Sequence, residues 1–122
     1  MRRLDAFWIA CGGAFVAYVV YLSVTPDPVR APTIEGFKTG HIVAYLWLML
    51  WFSQVAKTVA TRLVTALLLC ALGVFLEYVQ LGTGYRTFAY SDMADDALGV
   101  AAGWLLAGTR LGRIEERLSS LF

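Results

Sequence analysis

Long apolar runs separated by short polar connections dominate the chain. Four runs are predicted to form membrane-spanning helices, over residues 6–24, 41–56, 63–79 and 93–109. The first contains nineteen residues without a charge, enough for a helix of about 28 Å at ~1.5 Å per residue. The second is shorter, roughly 24 Å, so its polar ends must reach the interface or the bilayer must become thinner. We therefore predict an all-α, polytopic membrane protein with one domain over residues 1–122.

The connections support this division of the chain. Residues 25–40 contain all three prolines, which break helices, so this segment is predicted to be a surface connection. A cleaved signal peptide is the alternative for the first run, but residues 23–29 lack a small-x-small cleavage pattern. After residue 109, Leu111, Ile114, Leu118 and Leu121 recur at helical spacing among charged residues, which predicts an amphipathic helix on the membrane surface.

Composition agrees with a membrane protein and excludes some partners. Hydrophobic residues make up 59% of the chain and the mean hydropathy is +0.65, too apolar for a small soluble domain. The net charge is +1 and the basic residues are scattered, so we exclude nucleic acid as a partner. Cys11 and Cys70 lie in apolar runs without a neighbouring His or Cys. We expect neither a disulfide nor a metal, and no other cofactor.

The distribution of basic residues predicts the orientation. Seven of the ten lie at the two ends of the chain or in the middle turn: Arg2, Arg3, Lys57, Arg62, Arg110, Arg113 and Arg117. Short positive connections remain in the cytoplasm, so both termini are predicted to be cytoplasmic. The stretch from Glu77 to Asp96 and the start of the second span then lie at the external face.

That stretch carries most of the candidate chemistry. Ionisable and amide side chains are costly in hydrocarbon, so their presence where two spans meet indicates a site. Helical periodicity of roughly 100° per residue gives the second span one face with polar and aromatic residues, and it gives the third and fourth spans one face each with small and polar residues. These faces are formed by His41 and Tyr45, by Gly73 and Glu77 with Gln80 nearby, and by Asp92, Asp96, Gly99 and Gly103.

Packing of the third span on the fourth through these faces would bring Glu77 and Gln80 beside Asp92 and Asp96. Small residues favour such packing because they let helix backbones approach closely in a membrane. Arg86 would lie on the connection above. The sequence therefore predicts a buried polar cluster that opens only to the outside.

Structural roles are alternatives for each member. Asp92 could cap the fourth helix with Asp95 completing a capping box, and Gly99 and Gly103 could serve packing alone. Glu77 could form an internal ion pair with Arg86. His41 could be an interfacial side chain, and Tyr45 a packing or interfacial aromatic residue.

The motifs together resemble those of the VanZ-like family, small bacterial four-helix membrane proteins named after a teicoplanin-resistance protein. They are His41-x-x-x-Tyr45, Glu77-x-x-Gln80, Arg86, and Asp92-x-x-x-Asp96-x-x-Gly99-x-x-x-Gly103, with Ser23-x-x-Pro26 before the first connection. The resemblance covers residues 20–107, with one departure, because the family usually has Asn where this chain has Asp96. It implies a multi-pass protein of the bacterial cytoplasmic membrane that is linked to glycopeptide susceptibility.

Three functions of different classes follow. In the first, Arg86 and Lys38 hold the phosphate or carboxylate of an envelope lipid or lipid-linked glycan, and the other ligand-binding candidates are Glu77, Gln80, Asp92, Tyr45 and Asp96. In the second, the protein is an enzyme acting on such a lipid, with Glu77 or His41 as the general base and Asp92 as the acid. In the third, it is a non-catalytic partner subunit whose cluster only joins the helices. The oligomeric state stays open.

Overall fold

The computed structural model describes residues 3–24, 33–34, 37–84 and 90–121, and these residues form an all-α bundle. Its helices are α1 (Arg3–Val24), α2 (Thr39–Ser53), α3 (Val59–Thr83), α4 (Tyr90–Ala107), a 3-10 helix (Arg110–Arg113) and α5 (Ile114–Ser119). Two short strands, β1 (Thr33–Ile34) and β2 (Phe37–Lys38), pair in antiparallel orientation, with Thr33 opposite Lys38. The predicted all-α class is confirmed, and the strand pair was not predicted.

Among the described residues, two helices are long and apolar enough to cross a membrane, α1 from Leu4 to Val24 and α3 over its whole length. The helix α2 is apolar but has only 15 residues, and α4 carries three aspartates within its 18 residues. Length and composition are therefore compatible with a membrane span at two of the four predicted positions.

Local capping explains why α3 is longer than the predicted span. Thr58 precedes the helix, and its hydroxyl accepts a hydrogen bond from the Thr61 backbone N–H at 3.1 Å. The Thr61 hydroxyl in turn accepts one from the Thr58 backbone N–H at 3.2 Å, which completes a capping box. At the other end Gly84 adopts φ 78°, a left-handed conformation that suits glycine and ends the helix. The helix thus begins before the apolar run and ends after it.

The helix α2 ends three residues earlier than predicted. The Gln54 backbone N–H bonds to the Trp51 carbonyl at 3.2 Å, and the Val55 N–H bonds to the Phe52 carbonyl at the same distance. These tighter bonds form a turn directly after Ser53. Val55 and Ala56 extend the apolar run in sequence, but they lie beyond the end of α2.

Apolar side chains cover the outside of the bundle, whereas carboxylates lie inside. Leu68 and Phe75 on α3 and Leu105 on α4 are 65%, 63% and 73% exposed. Within the described residues five carboxylates are buried: Glu77, Asp92, Asp95, Asp96 and Glu115. A soluble domain places these residue types the other way round, because hydrated carboxylates are costly to bury.

Close packing of α2 on α4 forms the middle of the bundle. A Cβ atom at Gly103 would lie 2.7 Å from the Leu46 carbonyl oxygen and 2.7 Å from Met49 Cβ, and one at Gly99 would meet the Ile42 carbonyl oxygen. Both glycines therefore contact α2, whereas the sequence predicted α3 as their partner. Periodicity identifies the face of a helix on which small residues lie, but any neighbouring helix can pack on that face.

The end of the chain also differs from the predicted surface helix over residues 110–122. The 3-10 helix leads into α5, which has only six residues. Its four predicted apolar residues, from Leu111 to Leu121, are exposed, but Glu115 is fully buried. Gln54 holds this segment against the bundle, since its Nε2 donates to the Leu111 carbonyl at 2.6 Å and its Oε1 accepts from the Glu115 N–H at 3.1 Å.

Candidate functional site

A histidine and an aspartate from different helices form a short hydrogen bond near one end of the bundle. His41 lies in the first turn of α2, and its Nδ1 is 2.7 Å from Oδ1 of Asp96 in the second turn of α4. The Asp96 side chain is buried, whereas the His41 side chain is 25% exposed. A carboxylate that orients an imidazole in this way is an arrangement suited to proton transfer.

Gly73 on α3 provides the space that the Asp96 carboxylate occupies. A Cβ atom at position 73 would lie 2.6 Å from Asp96 Oδ2, closer than side-chain atoms approach one another. The carboxylate is therefore enclosed between α3 on one side and His41 of α2 on the other. Here the face of α3 that the sequence identified does contact α4.

Further buried polar residues surround this pair. Tyr45 follows His41 by one turn of α2, is 3% exposed, and lies within electrostatic range of Asp96 and of Glu77 on α3. Asp92 and Asp95, both buried, lie within electrostatic range of Asp96 on the same helix. We call these six residues the polar cluster: His41, Tyr45, Glu77, Asp92, Asp95 and Asp96. The structure thus brings together residues that the sequence predicted on three separate helices.

The polar cluster is rich in acid. It contains four carboxylates and one imidazole, and like charges buried close together cannot all remain ionised without compensation. Compensating charges or hydrogen bonds must therefore accompany these carboxylates. Their oxygens also suit the cluster to accept hydrogen bonds from hydroxyl groups.

Gln80 takes a position different from the predicted one. Its side chain is buried, but its Nε2 donates to the Ser23 carbonyl at 2.7 Å, at the last turn of α1. The amide nitrogen therefore connects α3 to α1. The offset of about 60° between Gln80 and the Glu77 face directs the two side chains to different neighbours.

The capping alternative for Asp92 placed this residue directly before α4, whereas the helix starts two residues earlier. The helix begins at Tyr90, so Asp92 lies within its first turn, where the helix dipole favours a negative charge. Its side chain is 1% exposed and belongs to the polar cluster. Asp95 lies one turn later and is buried as well, so neither aspartate is a solvated capping residue.

The predicted site also includes two cations, Arg86 and Lys38. Arg86 lies outside the described residues, and the structure describes Lys38 only as the last residue of β2, directly before α2. Their roles in anion binding stay predictions. The expected absence of a cofactor also stays a prediction, although no group of three or more His, Cys, Asp or Glu side chains in the described ranges is arranged to hold a metal ion.

A set of polar residues that was not predicted from the sequence lies at the end of the bundle opposite the polar cluster. Arg62, at the start of α3, donates from Nε to the Ala56 carbonyl at 2.7 Å, from one terminal nitrogen to the Ser53 carbonyl at 3.1 Å, and from the other to the Ala107 carbonyl at 3.3 Å. It thereby joins the C-terminal ends of α2 and α4, whose dipoles favour a cation. Arg62 and Gln54 are single polar residues bordering apolar runs, the sequence signal that could have identified them.

Two indole rings join α1 to α2 at the same end. Trp8 and Trp51 stack with ring centroids 3.9 Å apart, and the Nε1 of each donates to the backbone carbonyl of the other at 2.8 Å. Paired bonds of this kind satisfy both indole N–H groups where the protein surface is apolar. Trp8 and Trp51 thus lie with Arg62 and Gln54 at the end of the bundle opposite the polar cluster.

Comparison of the chain with protein-family models, with curated proteins and with solved structures found no match. The similarity to the VanZ-like family consequently depends on the motifs alone.

Proposed function

We propose that this chain is a small four-span protein of the VanZ-like type, which binds the headgroup of an anionic envelope lipid or lipid-linked glycan at the external face of the bacterial cytoplasmic membrane. The observation that supports the proposal is the polar cluster, formed by side chains of α2, α3 and α4 inside a bundle with an apolar exterior. A bundle in lipid has no other place for so many carboxylates.

The packing explains how α2 and α4 would complete the set of four spans. The three aspartates of α4 are all buried, and Leu98 and Leu105 are exposed on the same helix. A helix that hides its carboxylates from lipid can lie in the membrane despite an unfavourable composition. The helix α2 is short, about 22 Å at ~1.5 Å per residue, so the bilayer would be thin beside it.

The chemistry of the polar cluster favours a ligand rich in hydroxyl groups. The carboxylates of Glu77, Asp92 and Asp96 accept hydrogen bonds, and the Tyr45 hydroxyl can donate or accept one. In this proposal Lys38 and Arg86 hold the phosphate or carboxylate of the ligand by charge-assisted bonds. A headgroup of sugar and phosphate combines both kinds of group.

Catalysis is the second candidate, and the 2.7 Å bond between His41 and Asp96 favours it. Asp96 would orient the imidazole, and His41 would remove a proton from water as the water oxygen attacks the ester or phosphate centre of the lipid. Asp92 or Glu77 would then give a proton to the leaving oxygen. Attack at an acyl ester would give a fatty acid and the deacylated lipid, and attack at phosphorus would give the phosphorylated headgroup and the lipid alcohol.

Native mass spectrometry of the full chain, released from membrane in mild detergent, tests the binding proposal. Wild type should retain an envelope lipid, Glu77→Gln and Arg86→Ala should lose it, and the exposed Arg110→Ala, at the opposite end, should retain it. Each variant needs an unchanged circular dichroism spectrum. Retention of the same lipid by all variants would exclude the polar cluster as its binding site and would favour the structural-subunit alternative.

Asp96→Asn separates binding from catalysis. The amide keeps the size of the side chain and can still bond to His41, and the family usually has Asn here, so lipid retention should persist. Loss of base character should abolish hydrolysis of a radiolabelled envelope lipid extract if His41 and Asp96 are catalytic. Persistent lipid turnover in Asp96→Asn and His41→Gln would refute the catalytic candidate.

The link to antibiotics is tested separately. If the chain handles an envelope precursor, its expression in a susceptible bacterium should change the minimal inhibitory concentration of teicoplanin, and Arg86→Ala should abolish the change. Equal minimal inhibitory concentrations of teicoplanin for wild type, variant and empty vector would contradict this part of the proposal.

A further inference from the structure

A second polar site lies at the opposite end of the bundle from the polar cluster. A cavity of about 470 Å³ opens there, between the turn that follows α2 and the 3-10 helix. Its charged residues are Lys57, Arg62, Arg113 and Glu116, which give it three cations and one anion. Arg62 precedes Glu77 by fifteen residues on α3, or about 22 Å along the helix axis. The two sites are therefore distinct.

The cation at the base of this cavity is held in place by the fold. Arg62 uses one N–H of each guanidinium nitrogen for carbonyl groups at the end of α2, in the turn after α2 and at the end of α4. A guanidinium has five N–H groups, so in the described part of the chain one on each terminal nitrogen is not used in these bonds. A charge fixed in this way is preorganised for an anion because little side-chain entropy remains to be lost on binding.

The other charged residues can rearrange. Lys57 and Glu116 form an ion pair at 3.4 Å, and their side chains are 39% and 56% exposed. An exposed pair of this length is weak, so an anion with more than one charged oxygen can compete with Glu116 for Lys57. Arg113 is exposed and forms part of the cavity wall.

Exposed apolar side chains lie within two residues, in the sequence, of residues that line the cavity. Val59 and Leu63, on either side of Arg62 in the sequence of α3, are 75% and 51% exposed, and Leu105 and Leu111 are exposed near the other wall. A free phosphate ion would make no use of these groups. A phospholipid would, because its acyl chains continue from the phosphate along the apolar exterior of α3 and α4. The surroundings thus favour a lipid over a soluble anion.

We propose that this cavity binds the phosphate headgroup of an anionic phospholipid in the leaflet at this end of the bundle. Basic pockets between membrane helices commonly bind such headgroups. Two N–H groups of Arg62, the Lys57 ammonium and the Arg113 guanidinium provide donors for the phosphate oxygens. The site is independent of the polar cluster. A membrane lipid bound here would join α5 and the 3-10 helix to α3 and α4.

The test uses the purified full chain in lipid nanodiscs that mix phosphatidylcholine with phosphatidylglycerol, and native mass spectrometry counts the phosphatidylglycerol retained after detergent release. Arg113→Ala should reduce retention about fivefold, the factor that corresponds to ~1 kcal/mol per basic residue near an anionic surface. Arg110→Ala is the matched control, since it removes an equal charge from the same 3-10 helix outside the cavity. Its retention should equal that of wild type.

Glu116→Gln gives an independent readout, because it removes the carboxylate that competes for Lys57. It should increase phosphatidylglycerol retention severalfold and leave phosphatidylcholine retention unchanged. Equal losses in Arg113→Ala and Arg110→Ala, or no gain in Glu116→Gln, would overturn the proposal. Displacement of the lipid by a few millimolar inorganic phosphate would show that the cavity selects a free anion and would likewise overturn it. Loss of envelope lipid in Glu77→Gln has no bearing on these outcomes.

Discussion

Replacing Gly103 with alanine adds a single methyl group where α2 and α4 are closest. That methyl carbon would lie 2.7 Å from both the Leu46 carbonyl oxygen and Met49 Cβ, whereas ordinary contacts begin near 3.4 Å, so the two helices must separate by about 0.7 Å. Overpacking of this size costs about 1–3 kcal/mol. Alanine also favours the helix by up to ~1 kcal/mol relative to glycine, so a control must include that gain.

Gly13→Ala is that control. Gly13 lies within α1 and a Cβ atom there would have no neighbour within 4 Å, so the substitution adds the helix preference alone. Unfolding in a mixed-micelle titration, followed by circular dichroism, should place Gly103→Ala about 1–3 kcal/mol below Gly13→Ala. Equal stability of the two variants would show that α2 and α4 are not in close contact, and the packing described above would be wrong.

Three further predictions concern other contacts. Arg62→Ala should lower the free energy of unfolding by about 2–4 kcal/mol, because three carbonyl groups lose a charged donor, and Arg62→Lys should recover only part; a loss below ~0.5 kcal/mol would show that Arg62 does not join the helix ends. A double-mutant cycle of Trp8→Phe and Trp51→Phe should give a coupling of about 1 kcal/mol from the stacked indole rings, and additive effects would contradict the ring stacking. Asp96→Asn should unfold within ~1 kcal/mol of wild type, whereas Asp96→Ala should lose about 1–3 kcal/mol because His41 loses its partner; equal losses would mean that the hydrogen bond contributes little.

Hydropathy predicted the positions of the helices along the chain, but it did not predict the residues at which they begin and end. The predicted span 6–24 corresponds to α1, Arg3–Val24, and the span 93–109 to α4, Tyr90–Ala107. The ends differ because they depend on local hydrogen bonds such as the capping box of Thr58 and Thr61, which lies outside the apolar run. The strand pair β1 and β2 involves only two residues in each strand, too few for a periodic signal.

The sequence predicted which residues form the candidate site, but it did not predict which of them bond to one another. Periodicity placed His41, Glu77 and Asp96 on inward faces, and they meet in one cluster. Which partner each takes depends on helix order and crossing geometry, and neither can be read from a single sequence. For this reason the bond between His41 and Asp96 was not predicted, and Gln80 was assigned to the site although it bonds to the end of α1.

The proposed functions require the exposed apolar face of α3 to lie in lipid. Leu68, 65% exposed near the middle of α3, and Val59, 75% exposed at its first residue, provide the direct comparison. In a glycosylation-reporter insertion assay Leu68→Arg should disfavour insertion of α3 by about 2.5–3.5 kcal/mol, whereas Val59→Arg, at the interface, should have little effect. If both substitutions change insertion and stability by less than ~0.5 kcal/mol, as on a surface that faces water, then α3 does not lie in the membrane and the proposed functions lose their basis.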